Sequence, residues 1–226
     1  MTDLVVADLA AVVYSSGKVF DGLSTGRLDT ENFLRSGDLT GVTSRSDLAL
    51  LEDLRDASQF IIDTRDRPID AAYVRDVNAQ LTRSAALHPG RFRRDDDRIG
   101  VSTPFGRHEP AAPDLVGVQR IVDRALEEPD TSEQALDLFV HLAKAQPFMD
   151  GNKRTAILVA NAVVIREQPP RTLTVPVDEQ DPTAARRFTE LLARAYILDE
   201  HDGIKHLLRE QGFAPVAPHG SDRASS

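Results

Sequence analysis

The spacing of apolar residues along the chain predicts a protein built almost entirely of helices. Between Leu48 and Ile61, apolar side chains return every three or four positions, which is the period of one face of an α-helix. Residues 43–47 offer hydroxyl and carboxylate side chains that suit the start of this helix, which should end near Arg67. The same spacing predicts further helices over residues 4–14, 30–35, 69–87, 114–127, 131–145, 152–166, 182–198 and 201–211.

The pattern changes between residues 91 and 113, where glycine and proline interrupt short apolar alternations. The stretch from Arg98 to His108 predicts an irregular β-hairpin that is too short to seed a sheet of its own. Strands do not alternate with helices, so no parallel sheet is expected. We therefore expect an all-α fold, a helical bundle with a small β-hairpin flap.

The regularity of the pattern divides the chain into three parts. Residues 1–45 are less regular and predict an N-terminal helical segment, and residues 46–213 predict one domain. Residues 214–226 hold proline, glycine, serine and single charges without apolar periodicity, so we expect a disordered tail.

Composition excludes several classes of protein. The 27 basic and 36 acidic residues give a formal net charge of −9, so no nucleic-acid partner is expected. The absence of cysteine excludes a disulfide scaffold, a thiolate zinc site and a thiol nucleophile. No stretch approaches the roughly 18 consecutive apolar residues of a membrane span, and no secretory signal is visible at the N-terminus. We expect no membrane partner and a cytoplasmic location; the oligomeric state stays unknown.

Residues 146–155, Gln-Pro-Phe-Met-Asp-Gly-Asn-Lys-Arg-Thr, have the features of a phosphate-binding loop. Gly151 permits an unusual turn before the next helix begins near Asn152. The first amides of that helix have no internal partners and lie at the positive end of its dipole. Lys153 and Arg154 in the same turn oppose the dipole, and an anion between them would remove the conflict.

This loop is compatible both with a metal site and with a plain connector between two helices. Asp150 is an oxygen ligand of the kind that holds Mg²⁺ beside phosphates. The same residues also suit a plain connector between helices, with Phe148 filling the core, Asp150 and Asn152 as caps, and the two cations in solvent. From the spacing alone the two interpretations stay open.

The loop resembles the signature of the Fic/Doc family, His-x-Phe-x-Asp/Glu-Gly-Asn-Gly/Lys-Arg, which lies between two helices of an all-α fold. The matching positions are Phe148, Asp150, Gly151, Asn152 and Arg154. Lys153 resembles the Doc branch, where lysine replaces the glycine of Fic proteins. The flap, its lead-in over residues 90–93 and the segment from Phe188 to Tyr196 also resemble the family. The resemblance covers residues 48–212 and makes residues 46–213 a Fic/Doc-like domain.

The resemblance implies a nucleotide site, with ATP or another nucleoside triphosphate and Mg²⁺ as cofactors. Family members hold the phosphates with loop residues that correspond here to Gly151, Asn152, Lys153 and Arg154, and the metal with Asp150. Fic members transfer AMP, and Doc members transfer a phosphate, to a hydroxyl of a target protein. The family's flap adds a strand of the target, a role that falls on Val101, Ser102 and Thr103. The implied partners are this target protein and an antitoxin.

Gln146 stands where the family has its catalytic histidine. A neutral amide can hold a hydroxyl but cannot accept its proton, and losing a general base costs roughly 10²- to 10⁴-fold in rate. Neither His141, expected to be structural or exposed, nor His108 on the flap is expected to replace it. Catalysis would then rest on Gln146 as a positioner and on Arg154. Ile157 replaces a second arginine of AMP-transferring members, which favours the Doc branch.

Many Fic proteins also carry an inhibitory helix with the pattern Ser/Thr-x-x-x-Glu-Gly/Asn, whose glutamate forms a salt bridge to the motif arginine. The nearest match runs from Asn32 to Gly37, with Ser36 in place of the glutamate. The N-terminal segment is therefore interpreted as a relic of this helix, and its salt bridge to Arg154 is expected to be absent.

Three functional hypotheses follow. The first is a nucleotide-dependent transferase that moves AMP or phosphate to a protein hydroxyl, weak or atypical because Gln146 replaces the base. The second is a catalytically inactive protein that binds nucleotide, as a regulator or as a partner in a toxin–antitoxin pair. The third is a structural helical protein whose loop only connects helices.

Overall fold

The computed structural model describes residues 4–84 and 87–216. Within these residues a 3₁₀ turn at Val6–Leu9 precedes nine α-helices and four short strands. The helices are α1 Ala10–Asp21, α2 Arg27–Ser36, α3 Arg45–Asp63, α4 Ala71–Asn78, α5 Leu115–Leu126, α6 Thr131–Ala145, α7 Asn152–Val164, α8 Thr183–Ile197 and α9 Asp202–Gln211. The strands are β1 Val101–Thr103, β2 Gly106–His108, β3 Arg171–Leu173 and β4 Phe213–Pro215. The predicted all-α bundle with a small hairpin flap is confirmed.

Helix α7 lies at the centre of the bundle. Its residues from Arg154 to Val164 are all buried, and it packs most extensively on α6 and also on α1, α3 and α4. A helix that is apolar on every side must be surrounded by protein. The predicted phosphate loop lies at the start of α7. Several other elements therefore lie close to this loop.

The start of α3 follows the prediction, while the end of α4 does not. Ser44 caps α3 by accepting a hydrogen bond from the N–H of Asp47 at 3.0 Å. The predicted helix over residues 69–87 ends at Asn78, because the buried carboxylate of Asp53 accepts the N–H groups of residues 82–84 and draws the chain out of helical geometry. A tertiary contact overrides the local pattern here.

Helix α1 extends beyond the predicted end at residue 14. The hydroxyls of Ser15 and Ser16 bond back to carbonyls of the preceding turn, so neither residue ends the helix. Gly17 lets α1 pack closely on Leu23, since a Cβ at Gly17 would lie 3.1 Å from the Leu23 Cδ2 atom. The helix continues to Asp21, and Gly22 ends it with a positive φ of 70°.

The described residues form two antiparallel strand pairs. The predicted flap is a hairpin that pairs β1 with β2, with Val101 opposite His108 and Thr103 opposite Gly106. The second pair, which the sequence pattern did not predict, joins strands on either side of α8 and α9, with Leu173 opposite Phe213 and Arg171 opposite Pro215. Ala214 and Pro215 lie in β4, and the N–H of Val216 donates to the Pro170 carbonyl, where the sequence pattern predicted the start of a disordered tail. The rest of the predicted tail, residues 217–226, lies outside the described residues. No helix in the described ranges combines the length and apolar character needed to cross a membrane.

Candidate anion site at the start of helix α7

The loop between α6 and α7 begins with an unusual backbone. Gln146 follows the last residue of α6 and adopts the left-handed conformation, with a φ of +46°. A residue other than glycine is rarely found there, and the surrounding contacts must hold it. The N–H of Gln146 donates to the Leu142 carbonyl at 3.1 Å, and only 4% of the residue is exposed.

Gly151 is required by both backbone and packing. Its φ is +72°, and a Cβ atom at this position would lie 2.6 Å from the Leu81 Cδ1 atom. The side chain of Asn78 also lies close, and it donates to the Asp150 carbonyl at 3.2 Å and to the Thr155 hydroxyl at 3.0 Å. Asn78 therefore holds both ends of the turn from the side of α4. The sequence pattern placed Asn78 within a helix and gave no indication of this contact.

The side chain of Asn152 closes the loop on itself. Its Oδ1 atom accepts the N–H of Phe148 at 2.8 Å, and its Nδ2 atom donates to the Phe148 carbonyl at 2.8 Å. Phe148 is fully buried, with its ring centroid 5.1 Å from that of Phe92. Because both ends of the side-chain amide are hydrogen-bonded to Phe148, only the main-chain N–H of Asn152 is left for the predicted contact with phosphate.

Arg154 is buried at the start of α7, and its guanidinium contacts three side chains. The Nη1 atom donates to the Ser84 hydroxyl, and the Nη2 atom donates to Oδ1 of Asp150 at 3.3 Å. The Nε atom lies 3.5 Å from Oδ2 of Asp21, at the last residue of α1. The two carboxylates therefore face the guanidinium from the N-terminal segment and from the loop itself.

The ion pair with Asp21 corrects the expectation for the N-terminal segment. The predicted match over residues 32–37 ends α2, where the Ser36 hydroxyl bonds to a carbonyl of its own helix. The acidic residue at Arg154 comes instead from α1, where Asp21 is followed by Gly22. Among the described residues, 32–37 supply no ion pair to Arg154, as expected, but Asp21 supplies one from a different helix. The pair Asp21-Gly22 at the end of a helix was a signal in the sequence for an acidic partner of Arg154. It was missed because the predicted helix ended at residue 14.

Charges at this site perturb one another. Burial raises the pKa of Asp21 above its ordinary value, against the opposing pull of Arg154 and Lys153, and nearby Asp150 adds to the rise. Lys153 lies with its Nζ atom 5.1 Å from the centroid of the Phe20 ring, and burial lowers its pKa. Two cations, the buried Arg154 and the half-buried Lys153, therefore lie beside two carboxylates, Asp21 and Asp150, in one partly desolvated cluster.

These residues surround a cavity of about 230 Å³. The end of α1 supplies Phe20 and Asp21, and the flap supplies its first residues. The full set from the loop and flap is Gln146, Met149, Asp150, Gly151, Asn152, Lys153, Arg154, Ile99, Gly100 and Val101. The structure thus brings together the predicted loop residues and Val101. Ser102 and Thr103 lie farther along the flap, where the Thr103 hydroxyl is used in the hairpin turn.

A buried arginine joins the flap to the loop. Arg93 donates to the Gln146 carbonyl at 2.7 Å and, at the two ends of the flap, to the carbonyls of Asp97 at 2.9 Å and Pro110 at 3.1 Å. Its own N–H donates to the Pro147 carbonyl at 2.8 Å. Arg93 lies in the lead-in to the flap, and only 5% of it is exposed.

Neither candidate histidine faces the cavity. His108 donates from Nε2 to the Lys144 carbonyl at 2.7 Å and stacks on Tyr196 at a centroid distance of 4.8 Å. His141 packs edge-on against His201 at 4.7 Å, and burial lowers its pKa. Ile157 is fully buried and does not line the cavity.

A larger cavity of about 840 Å³ lies beside the first. Helix α1 and the flap line both cavities. Lys18 and Val19 of α1 line the larger cavity, followed along the helix by Phe20 and Asp21 in the smaller one. The flap tip and α8 complete the larger cavity.

Comparison with known proteins finds a family model that matches part of the chain and solved structures that share its fold. A family model described as the Fic/DOC family matches residues 68–164. No curated protein matches the sequence. Among solved structures, Fic-1 (residues 134–508) from C. elegans aligns with a TM-score of 0.68 at 19% identity, over 89% of this chain and 59% of that chain.

Two bacterial structures also share the fold. A Fic-domain-containing signalling protein from Bacteroides thetaiotaomicron aligns with a TM-score of 0.67 at 16% identity, over 89% of this chain and 80% of its own. A Fic family protein from Desulfovibrio desulfuricans G20 aligns with a TM-score of 0.53 at 12% identity, over 90% and 64% of the two chains. Residues 68–164 of this chain therefore match the Fic/DOC family model, and they lie within a fold that these Fic proteins share.

Proposed function

We propose that this protein binds a nucleoside triphosphate with its phosphates at the start of α7 and transfers AMP or phosphate to a hydroxyl of a target protein. The observation that carries the proposal is the convergence on one cavity of the free amides of α7, Lys153, Arg154 and Asp150. Helix N-termini and paired cations both favour phosphate. The match of residues 68–164 to the Fic/DOC family model supports the reaction class.

The residues present fit the phosphates and one Mg²⁺ ion. Asp150 uses its Oδ1 atom for the N–H of Gly151 and for Arg154, which leaves Oδ2 as a metal ligand. In the described part of the chain, no three His, Asp or Glu side chains converge to hold a metal unaided. Mg²⁺ commonly binds through one carboxylate, substrate phosphates and water, so one aspartate is enough. Bound there, the metal would neutralise phosphate charge.

The two neighbouring cavities suit the two ends of a nucleotide. The smaller one, at about 230 Å³, falls below the roughly 300–1,000 Å³ typical of small-molecule sites. The larger one has an apolar lining that includes Val19, Phe105 and Val177, which suits a base and its sugar. We assign the phosphates to the first cavity and the nucleoside to the second.

The last turn of α1 then acts as a gate between them. The Asp21 carboxylate pairs with the Nε atom of Arg154. A phosphate would need this atom to form two parallel hydrogen bonds with the guanidinium. Nucleotide binding therefore requires Asp21 to move away from Arg154 or to lose its charge. In this proposal α1 takes the inhibitory role first sought in residues 32–37.

Gln146 is assigned to holding the target hydroxyl. Its side-chain amide oxygen accepts a hydrogen bond from the hydroxyl, which directs the oxygen at phosphorus but takes no proton. A bond forms from this oxygen to phosphorus, the bond to pyrophosphate or to the nucleoside diphosphate breaks, and the hydroxyl proton goes to solvent. Loose phosphoryl-transfer transition states need little activation of the nucleophile, which favours phosphate transfer in a site without a base. Within the described residues β1 pairs only with β2, so its outer edge is left for a strand of the target.

Labelled nucleotides test the proposal. The protein is incubated with Mg²⁺ and a lysate, in parallel with α-labelled and γ-labelled ATP. Label on a protein band that disappears with Arg154→Ala supports transfer, and the labelled position distinguishes AMP from phosphate. Gln146→His should raise the rate by roughly 10²- to 10⁴-fold. Absence of label with both nucleotides, for the wild type and for Gln146→His, contradicts the transferase.

A second candidate is a protein that binds nucleotide without chemistry. It is favoured by the neutral Gln146 and by the fixed contacts that hold His108 and His141 away from the cavity. As a regulator or toxin–antitoxin partner, such a protein binds ATP in calorimetry but labels nothing, and it copurifies with its cognate protein. If ATP does not bind, both candidates fail.

A further inference from the structure

Residues 82–84 are held by a carboxylate that is wholly buried. Asp53 on α3 is 0% exposed and accepts the N–H groups of Thr82 at 3.0 Å, Arg83 at 3.0 Å and Ser84 at 2.8 Å. A buried carboxylate needs several donors to offset its lost hydration, and three main-chain N–H groups supply them. This fixes the position of Ser84 on the side of the bundle that faces Arg154.

The Ser84 hydroxyl links Asp53 to the predicted phosphate-binding arginine. It lies 2.7 Å from Oδ2 of Asp53 and also contacts Nη1 of Arg154. A hydroxyl has one proton, and an ionised carboxylate can only accept, so the proton of Ser84 is given to Asp53. A lone pair of the same oxygen is then directed at Arg154.

This contact determines which edge of the guanidinium faces the cavity. Ser84 binds Nη1, while Nε and Nη2 point at Asp21 and Asp150, both of which line the cavity. The Nε–Nη2 edge is one of the paired edges through which arginine makes two parallel hydrogen bonds to a phosphate. Ser84 is also the uncharged partner among the three, so it does not repel an arriving anion.

We infer that Ser84, oriented by Asp53, is a positioning residue that turns the Nε–Nη2 edge of Arg154 toward the bound phosphate. The inference rests on the proposed function, because it assigns Arg154 to a phosphate. It places part of the anion site outside the signature loop, on residues from α3 and from the segment after α4. Holding the arginine in advance lowers the cost of ordering it when the ligand binds.

The test compares Ser84→Ala with Ser84→Thr, which restores the hydroxyl, and with Thr82→Ala, which keeps the main-chain contact to Asp53. ATP affinity with Mg²⁺ is measured by calorimetry, with melting temperature as the check on folding. Ser84→Ala should weaken binding about tenfold, as expected for losing a hydrogen bond to a charged group. Ser84→Thr and Thr82→Ala should bind as the wild type does. If Ser84→Ala does not fold, Ser84→Cys, a weak donor and acceptor, takes its place.

The outcomes separate this inference from the proposed function. Wild-type affinity in Ser84→Ala, together with lost affinity in Arg154→Ala, overturns the inference and leaves the function standing. Failure of the wild type to bind ATP overturns the function. In that case NMR of the Arg154 Nε–H group still tests the contact, because rotation of the guanidinium should be slow in the wild type and faster in Ser84→Ala. Equal rotation in both overturns the inference.

Discussion

The Nε atom of Arg93 donates to the carbonyl oxygen of Gln146 at 2.7 Å, so the residue that we propose holds the target hydroxyl is attached to an arginine at the start of the flap. The other guanidinium nitrogens of Arg93 hold carbonyls at both ends of the flap. The left-handed backbone of Gln146 and the position of the flap are therefore set by one buried side chain.

Replacement of Arg93 should destabilise the protein. Arg93→Met keeps much of the volume but leaves the buried Gln146 carbonyl and the half-buried Asp97 and Pro110 carbonyls without this donor. An unsatisfied buried group costs about 1–3 kcal/mol, and a half-buried one costs less. We expect a loss of about 3–4 kcal/mol in the free energy of unfolding, measured by urea denaturation. Arg94→Met at the neighbouring exposed position is the matched control and should change stability by less than about 0.5 kcal/mol. Equal effects of the two substitutions would contradict the role given to Arg93.

Removal of the Asp21 charge should open the anion site. Asp21→Asn leaves Arg154 without one of its two acidic partners, so ATP affinity should rise about five- to tenfold, in line with the cost of displacing a partly buried ion pair. Calorimetry measures the change, and Asp38→Asn at the end of α2 is the control for loss of one negative charge. A lower affinity in Asp21→Asn than in the wild type would contradict the gate.

The raised pKa of Asp21 gives the gate a pH dependence. Since the folded-state pKa lies above the ordinary value, the folded protein takes this proton first as the pH falls. The contribution of Asp21 to stability therefore grows as the pH falls through its raised pKa and is lost above it. Phosphate affinity should rise over the same acidic range, measured with pyrophosphate, and Asp21→Asn should show a flatter profile. Parallel profiles for the two proteins would contradict the assignment to Asp21.

Gly151 offers a test of the turn that presents the first amides of α7. Gly151→Ala adds left-handed strain and a methyl group 2.6 Å from Leu81. Gly37 has a similar φ of +75° with no atom within 4 Å of its Cβ position, so Gly37→Ala reports the strain alone. We expect a loss of about 1 kcal/mol for Gly37→Ala and about 2–4 kcal/mol for Gly151→Ala, by thermal and urea unfolding. Equal losses would show that Leu81 moves aside.

The sequence predicted the helices correctly where the spacing of apolar residues matches the face that packs in the core. Helices α5 to α9 follow the apolar spacing closely, because each has one face or more in the core. Prediction failed where a distant side chain decides the backbone, as Asp53 does for residues 82–84. The signature loop was found because its residues are consecutive. Asp21, Asn78, Ser84 and Arg93 were missed as parts of the site because each reaches it from another element.

Asn161 on α7 holds β3 with its side-chain amide, which accepts the N–H and donates to the carbonyl of Leu173. Strand β3 in turn pairs with β4, and the N–H of Val216 donates to the Pro170 carbonyl at 3.0 Å. A fragment ending at the last helix would leave Leu173 without its partner strand and would uncover the side of α7 that it protects. We therefore expect the shortest stable version of this fold to retain residues through Val216, well past the segment 68–164 that matches the family model.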